Sequence, residues 1–317
     1  MKINIALTSS GSAPAVAVIK ALKKQEKIRF HITALDMDPK SSGNYLADKG
    51  LVVPAPSEPG FINKVANICR KNDIECLIPV IDEELYVFAD NRDIFVKGGI
   101  KLIVNNKDTI RLSRNKFLTQ EFCAKENIVT PRTFLKQDIN KIEDSDYPLI
   151  IKPLSGRGSK DTLIIKNKKE LDFFKRYFKN YIIQEFIEGD EYTIDIVATS
   201  KGEILQAVPR QRIAVKAGMS YKGKIVKDPR LIAYGKHVAG KFNINGPANI
   251  QCIVNKKNIY LIEVNPKFAA GLPLTVAAGV NIPLILIKSS FGLKIARGEL
   301  EFKDSLYMLR YWEEVFV

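Results

Sequence analysis

Apolar positions in the first hundred residues fall in short runs separated by longer amphipathic stretches. "INIALTS" (Ile3 to Ser9) is such a run. "APAVAVIKALKK" after it has helical spacing, with Pro14 in its first turn. "HITALDMD" repeats the strand pattern and ends at Asp36 and Asp38, "FINKVANICRKND" is helical, and "ECLIPVID" is a third strand ending at Asp82. "EELYVFADNRDIFVKGG" continues as helix and "KLIVN" as a fourth strand. Alternation of this kind with short loops predicts a parallel sheet covered by helices. Ligands of such sheets gather at the carboxyl ends of the strands, here Ser9 to Ser12, Asp36, Asp38 and Asp82. The first loop lacks G-x-G-x-x-G, so the dinucleotide fingerprint is absent.

From Thr109 the texture changes. "DTIRLSRNKFLTQEFCAKENI" is a helical pattern, and Pro131 marks its boundary. A strand "YPLIIKP", a loop, a strand "DTLIIK", a helix "NKKELDFFKRYF" and a strand within "YIIQEFIEGDEYTIDIVAT" follow, which together read as a small lid-like unit. After Gly189 the pattern is mostly strands up to Pro266, with one helix around "RLIAYGKHVAGKF", and a final helical region closes the chain.

Composition narrows the class. The chain has 317 residues, 46% hydrophobic and 26% charged, enough for two or three compact units. No apolar run is long enough to span a bilayer, so no membrane partner is expected. The start "MKINIALTSSGSAPAVAVIKALKK" superficially resembles a signal peptide, but it breaks after Leu7 and reads better as strand, loop and helix; the expected location is the cytoplasm. Cys69, Cys76, Cys123 and Cys252 form no C-x-x-C pair, and His31 and His237 are the only histidines. Buried thiols are therefore expected rather than a zinc cluster. The net charge of +14 invites a nucleic-acid partner, yet lysines are scattered in groups such as Lys23-Lys24, Lys168-Lys169 and Lys256-Lys257. They lack the aromatic interleaving that stacking on bases needs, so nucleic acid is disfavoured. A basic chain still concentrates anionic nucleotides.

Three stretches carry candidate chemistry. "PLIIKPLSGRGSK" sets Lys152 at the end of an apolar strand, before a loop with Gly156, Gly158 and Ser159. Glycine backbone can wrap phosphate oxygens and lysine supplies charge to them. The loop leads into another strand, so it is a hairpin cover and not a Walker loop; a surface hairpin with a snorkelling lysine is the plain alternative. In "YIIQEFIEGDEYTIDIV", Glu185, Phe186, Ile187 and Glu191 suit an adenine and ribose site, against an acidic turn as the alternative. "ANIQCIVNKKNIYLIEVNPK" places Glu263 and Asn265 two apart on one strand face. A three-residue loop Lys256-Lys257-Asn258 would bring Gln251 opposite Glu263, whereas a two-residue loop would pair Gln251 with Ile262. The first register gathers three oxygen ligands fit for Mg²⁺ shared with phosphates.

In this order and spacing, with "IEVNPK" and "QEFIEGDEY" most specific, the chain resembles the ATP-grasp superfamily. The branch is that of the carbamoyl-phosphate synthase large subunit and standalone carboxylate–amine ligases. The resemblance implies an α/β pre-ATP-grasp domain over residues 1–110 and an α+β, two-lobed ATP-grasp domain over 111–317. The latter would have a lid-like subdomain at about 147–187 and a catalytic lobe at about 188–317. By resemblance, Lys116 and Lys152 contact ATP phosphates under the Gly156, Gly158 and Ser159 loop. Glu185, Phe186 and Ile187 form the adenine hinge, Glu191 meets the ribose, and Gln251, Glu263 and Asn265 hold Mg²⁺, or Mn²⁺ in its place. Arg210 and Arg212 in "VPRQRIAV" would hold the carboxylate and its acyl phosphate, with a solvent-facing strand pair as the alternative. Lys267 stands where the family often has arginine, which keeps charge but loses the bidentate fork. Ala269 and Ala270 replace bulkier residues, and Gly271 with the helix start near Pro273 could offer backbone donors to an anion. The implied reaction joins a small-molecule carboxylate to an amine, releasing ADP and phosphate, with a homodimer as the default assembly. An ATP-dependent phosphotransferase or carboxylase-like enzyme, or a non-catalytic nucleotide-binding module, are the rival readings.

Overall fold

The computed structural model describes residues 1–154, 162–177, 180–256 and 258–317. Strands β1 (Lys2–Thr8), β2 (Arg29–Asp36), β3 (Lys49–Val52), β4 (Cys76–Ile78) and β5 (Lys101–Leu102) form a parallel sheet in the order β3-β2-β1-β4-β5. Helices α1 (Ala13–Lys23), α2 (Ser42–Leu46), α3 (Phe61–Lys71), α4 (Asp82–Asp90) and α5 (Arg92–Lys97) connect them. The apolar N-terminus is thus the central strand, with Ile5 and Leu7 on one face and Ala6 on the other. Strand order reverses between β1 and β4, and there the buried Glu84 carboxylate accepts from Thr8 Oγ1 (2.7 Å), Ser9 Oγ (3.0 Å) and the N–H groups of Val80 and Ile81. Burial raises the pKa of Glu84, while these donors oppose the rise.

The pattern read as one helix from Asp108 onward is two, α6 (Lys107–Arg114) and α7 (Lys116–Lys125). Asn115 separates them by capping α7, its Oδ1 accepting from Phe117 N (3.0 Å) and Leu118 N (3.2 Å). Likewise "EELYVFADNRDIFVKGG" breaks at Asn91 into α4 and α5. A small sheet follows, β6 (Thr133–Phe134), β7 (Leu149–Pro153), β8 (Leu163–Ile165) and β9 (Tyr181–Glu185), in the order β6-β9-β7-β8 with α8 (Lys168–Phe174) against it. Its first strand lies before residue 147, where the lid-like unit was expected to start.

The largest sheet is antiparallel: β10 (Asp190–Ala198), β11 (Ile204–Lys216), β12 (Met219–Ile225), β13 (Ala248–Asn255), β14 (Asn258–Asn265) and β15 (Tyr307–Leu309), ordered β14-β13-β10-β11-β12-β15. Helix α9 (Pro229–Lys241) covers one face, and α10 (Leu272–Ala278) and α11 (Ile282–Ser290) follow β14. Phe268, Leu272 and Ile285 pack in the same apolar cluster as Ile5, Val18 and Leu22. Each such fully buried side chain contributes roughly 1.5–3 kcal/mol, so this shared core holds the parallel sheet against the C-terminal lobe. Among the described residues no single helix is long and apolar enough to cross a membrane.

Candidate functional site

A cavity of about 810 Å³ opens where the three sheets meet. Lys116 enters it from the start of α7, Lys152 from β7, Arg210 and Arg212 from β11, Gln251 from β13, Glu263 and Asn265 from β14, and Lys267 from just beyond. Residues from Ser12 to Gly271 therefore face one space. Gly156, Gly158 and Ser159 lie outside the described residues.

Gln251 does stand opposite Glu263, by a different route from the one expected. Asn255 pairs with Asn258, which leaves two residues between them, and the pairing runs back to Cys252 opposite Leu261. The register then shifts by one residue, so that Ile262 is the extra residue of a β-bulge and Gln251 meets Glu263. Among the described residues of the turn the left-handed one is Lys256 (φ 52°), not Asn258. Asn265 Nδ2 donates to Glu263 Oε1 at 2.9 Å and lies 3.4 Å from Asn249 Oδ1.

The lysines are held in a poorly hydrated space. Desolvation pushes the Lys152 ammonium down to about 8; neighbouring Lys116 adds to this and Glu263 opposes it. Lys116 is lowered by the same desolvation, again opposed by Glu263, and its Nζ donates to Leu154 O at 3.4 Å. These mutual influences place both cations and the carboxylate within electrostatic reach of one another.

Neither arginine faces solvent. Arg210 is almost wholly buried, donating Nε to Asp195 Oδ2 (2.9 Å) and Nη2 to Asp195 Oδ1 (2.8 Å), while Thr275 Oγ1 also donates to that carboxylate. Gly271 lies flat against this guanidinium: a Cβ there would sit 2.1 Å from Arg210 Nη1. That contact, rather than an anion site at the start of the short α10, accounts for the glycine. Arg212 Nε lies 2.8 Å from Glu191 Oε1, and its other nitrogens donate to Thr193 Oγ1 (3.4 Å) and Gly218 O (3.0 Å). Lys267 Nζ pairs with Asp82 Oδ2 from the parallel sheet's edge of the cavity, and Arg114 Nη1 donates to Asp82 O at 2.6 Å.

The hinge differs most from expectation. Phe186 N–H donates to Pro148 O at 3.3 Å and so continues the small sheet instead of offering itself to a base. Glu185 Oε2 accepts from Arg132 N at 3.2 Å. Among the described residues Gln184 and Thr193 line the cavity, whereas Glu185, Phe186, Ile187 and Glu191 do not. Sequence reasoning passed over Gln184, Asn249 and Asp195. A signal was present, since Asn249 and Asp195 sit between apolar neighbours and Gln184 follows Ile182 and Ile183, and each is buried.

The donor set of Gln251, Glu263 and Asn265 is one carboxylate and two amides, all hard oxygen ligands of the kind Mg²⁺ and Mn²⁺ prefer once a half-turn of the Asn265 amide presents its oxygen. Among the described residues no group of three or more His, Cys, Asp or Glu is placed to hold a metal. A cation here would thus need further oxygens, such as phosphates. With that supplement the residues fit the group.

Residues 177–310 match the family described as ATP-grasp in the biosynthetic pathway with Ter operon, and residues 5–103 match the PylC-like N-terminal domain. The carbamoyl phosphate synthase large chain of Thermoanaerobacter sp. is 23% identical over 231 residues, covering 67% of this chain and 21% of that protein. The tyramine–L-glutamate ligase of Methanocaldococcus jannaschii is 24% identical over 264 residues, covering 82% of this chain and 76% of that one. Biotin carboxylase from Campylobacter jejuni, solved with a β,γ-ATP compound, superposes with a TM-score of 0.75 at 15% identity, over 96% of this chain and 74% of that chain. The chain spans about a fifth of the length of the carbamoyl phosphate synthase large chains it matches (21% and 22%). The fold is that of the ATP-grasp proteins. More particularly, the segment similar to ATP-grasp follows the segment similar to a PylC-like N-terminal domain.

Proposed function

We propose that this chain is an ATP-dependent ligase that joins a small-molecule carboxylate to an amine. The observation that carries the reading is the convergence of Lys116, Lys152, Arg210, Arg212 and Lys267 with Glu263, Gln251 and Asn265 on one cavity large enough for a nucleotide and a second substrate.

In this reading Lys116 and Lys152 hold the phosphates; Gly156, Gly158 and Ser159, expected at the same phosphates, lie outside the described residues. Gln184, which lines the cavity, joins Glu185 and Ile187 as the expected base contacts, and Glu191, ion-paired with Arg212, is the expected ribose contact. Glu263, Gln251 and Asn265 would hold a divalent cation, which would supply positive charge against the phosphates. The substrate carboxylate attacks the γ-phosphorus, the bond to the β-phosphate oxygen breaks, and ADP leaves. The free edge of Arg210 and the Lys267 ammonium face the oxygens of the resulting acyl phosphate. The amine then adds to the acyl carbon, loses a proton and expels phosphate. The chemistry rests on positioning, which accounts for a site without a nucleophile–base pair. Assembly as a homodimer is part of the same expectation.

The test is ADP release from Mg-ATP against a panel of amino and hydroxy acids, with and without an amine, for wild type and Glu263→Ala. Release that requires both acid and amine and vanishes in the variant supports the ligase. Release with the acid alone replaces it by a phosphotransferase, and release that depends on bicarbonate by a carboxylase. Tight ATP binding without turnover across the panel counts for a nucleotide-binding module.

A further inference from the structure

The segment that presents Asn265 and Lys267 to the cavity is the end of β14, where ladder pairing stops. Its middle residue, Pro266, has no N–H to give. A bond from Lys267 N to Asn265 O (2.8 Å) closes the segment on itself, so contacts from elsewhere have to fix it to the rest of the fold.

Two buried amides do so. Asn105, fully buried in the segment after β5, donates Nδ2 to Pro266 O at 3.1 Å and to Pro247 O at 2.8 Å, while its Oδ1 accepts from Asn245 N at 3.0 Å. Asn249, also buried, donates Nδ2 to Lys267 O at 3.1 Å. The carbonyl of Pro266 shares a rigid plane with Lys267 N, and the carbonyl of Lys267 defines the next plane. Both planes that meet at the Lys267 Cα are therefore pinned by side-chain amides, one of them from the opposite domain. Every hydrogen-bonding group of the Asn105 amide is engaged: two N–H donors and one oxygen. Aspartate matches the shape but cannot donate, and glutamine is a methylene too long. The junction is also tight, since a Cβ on Gly246 would stand 3.0 Å from Asn105 N.

We infer that Asn105 is a positioning residue for Asn265 and Lys267, through which the N-terminal domain sets where these two side chains stand in the cavity. The inference rests on reading the cavity as the ATP site. It makes the N-terminal domain a part of the phosphate-binding apparatus rather than only a wall for substrate.

The test compares full-length Asn105→Asp with Asn245→Ala, which removes a different contact of the same junction, Asn106 N to Asn245 Oδ1 at 2.9 Å. Three quantities are read: ADP-release kcat and KM for ATP, the thermal midpoint, and amide hydrogen exchange over residues 249–268. Asn105→Asp is expected to lower kcat roughly 30- to 100-fold with KM for ATP within about threefold, as a small misplacement of reacting groups does. Exchange at Lys267 and Phe268 is expected to rise about tenfold or more, since an opened hydrogen-bond anchor lowers local protection. Asn245→Ala is expected to share a fall in thermal midpoint but not the loss of kcat or of protection. Equal losses in the two variants, or unchanged exchange in Asn105→Asp, would overturn the inference. Should wild type bind no nucleotide, the functional reading fails while the exchange arm still decides whether Asn105 fixes this segment.

Discussion

Replacing Lys152 by methionine separates what the cation costs the fold from what it does for a ligand. Methionine fills a similar volume without charge. Burial lowers the lysine from its ordinary 10.5 to about 8. Each unit corresponds to about 1.4 kcal/mol, so desolvation costs the apoprotein at most roughly 3 kcal/mol. Part of that is relieved by water in the cavity, and a gain of about 1–2 kcal/mol is expected for Lys152→Met at pH 7, read from urea midpoints at constant slope. The penalty fades with pH in a defined window. Between about pH 8 and 10.5 native Lys152 has released its proton while the unfolded chain keeps it, so wild type gains stability as pH rises and the difference from Lys152→Met narrows. Nucleotide affinity moves the other way, falling in wild type once the ammonium is lost and weaker by about tenfold or more in the variant at pH 7. A variant less stable than wild type at pH 7, or a stability difference independent of pH across that window, would refute the account of Lys152 as a desolvated cation.

Asp195→Ala leaves the Arg210 guanidinium buried without its counter-charge; both side chains are only 2% exposed, and a loss of about 3–5 kcal/mol by urea titration is expected. A loss under about 1 kcal/mol would mean that the cavity hydrates the arginine well enough to make the pair dispensable. Burial pushes the thiols of Cys69, Cys123 and Cys252 up to about 12 and raises Cys76 as well. At pH 8 the native protein is expected to resist a chromogenic disulfide reagent and all four thiols to react in denaturant; a fast native thiol would contradict the packing of the core.

What was legible from residues alone follows a physical line. β1, β2 and β4 are short apolar runs because they are buried on both faces, so their hydrophobicity is continuous and visible. β3 and α2 escaped notice because β3 is an exposed edge strand, its Lys49, Gly50 and Val52 facing solvent, and α2 has five residues. The merged helices could have been divided, for Asn115 and Asn91 are the polar residues at which one helix stops and another starts. The site's charged members were readable because polar residues inside apolar strands need a reason to be there. Their partners were not: Asp195 with Arg210, Asp82 with Lys267, and Asn105 with Pro266 are contacts across 15, 185 and 161 positions, and no local pattern encodes such distances. That Phe186 N–H is taken by Pro148 O was not legible either, because an edge that reads a ligand and an edge that pairs with β7 have the same composition.

The bulge at Ile262 also bears on how this hairpin can vary. On the tip side the paired positions are Asn255 with Asn258 and Cys252 with Leu261, and on the site side Gln251 with Glu263 and Asn249 with Asn265, one residue out of phase. One residue added at the tip and one removed at Ile262 would leave Gln251, Glu263 and Asn265 where they are. Relatives can therefore differ at residues 256–262 by a compensated insertion and deletion with the same ligands in place. A residue-by-residue alignment across this turn is ambiguous by one position for Asn258 to Leu261 and sound again from Glu263 onward, and gaps scored there say nothing about whether the site has been lost.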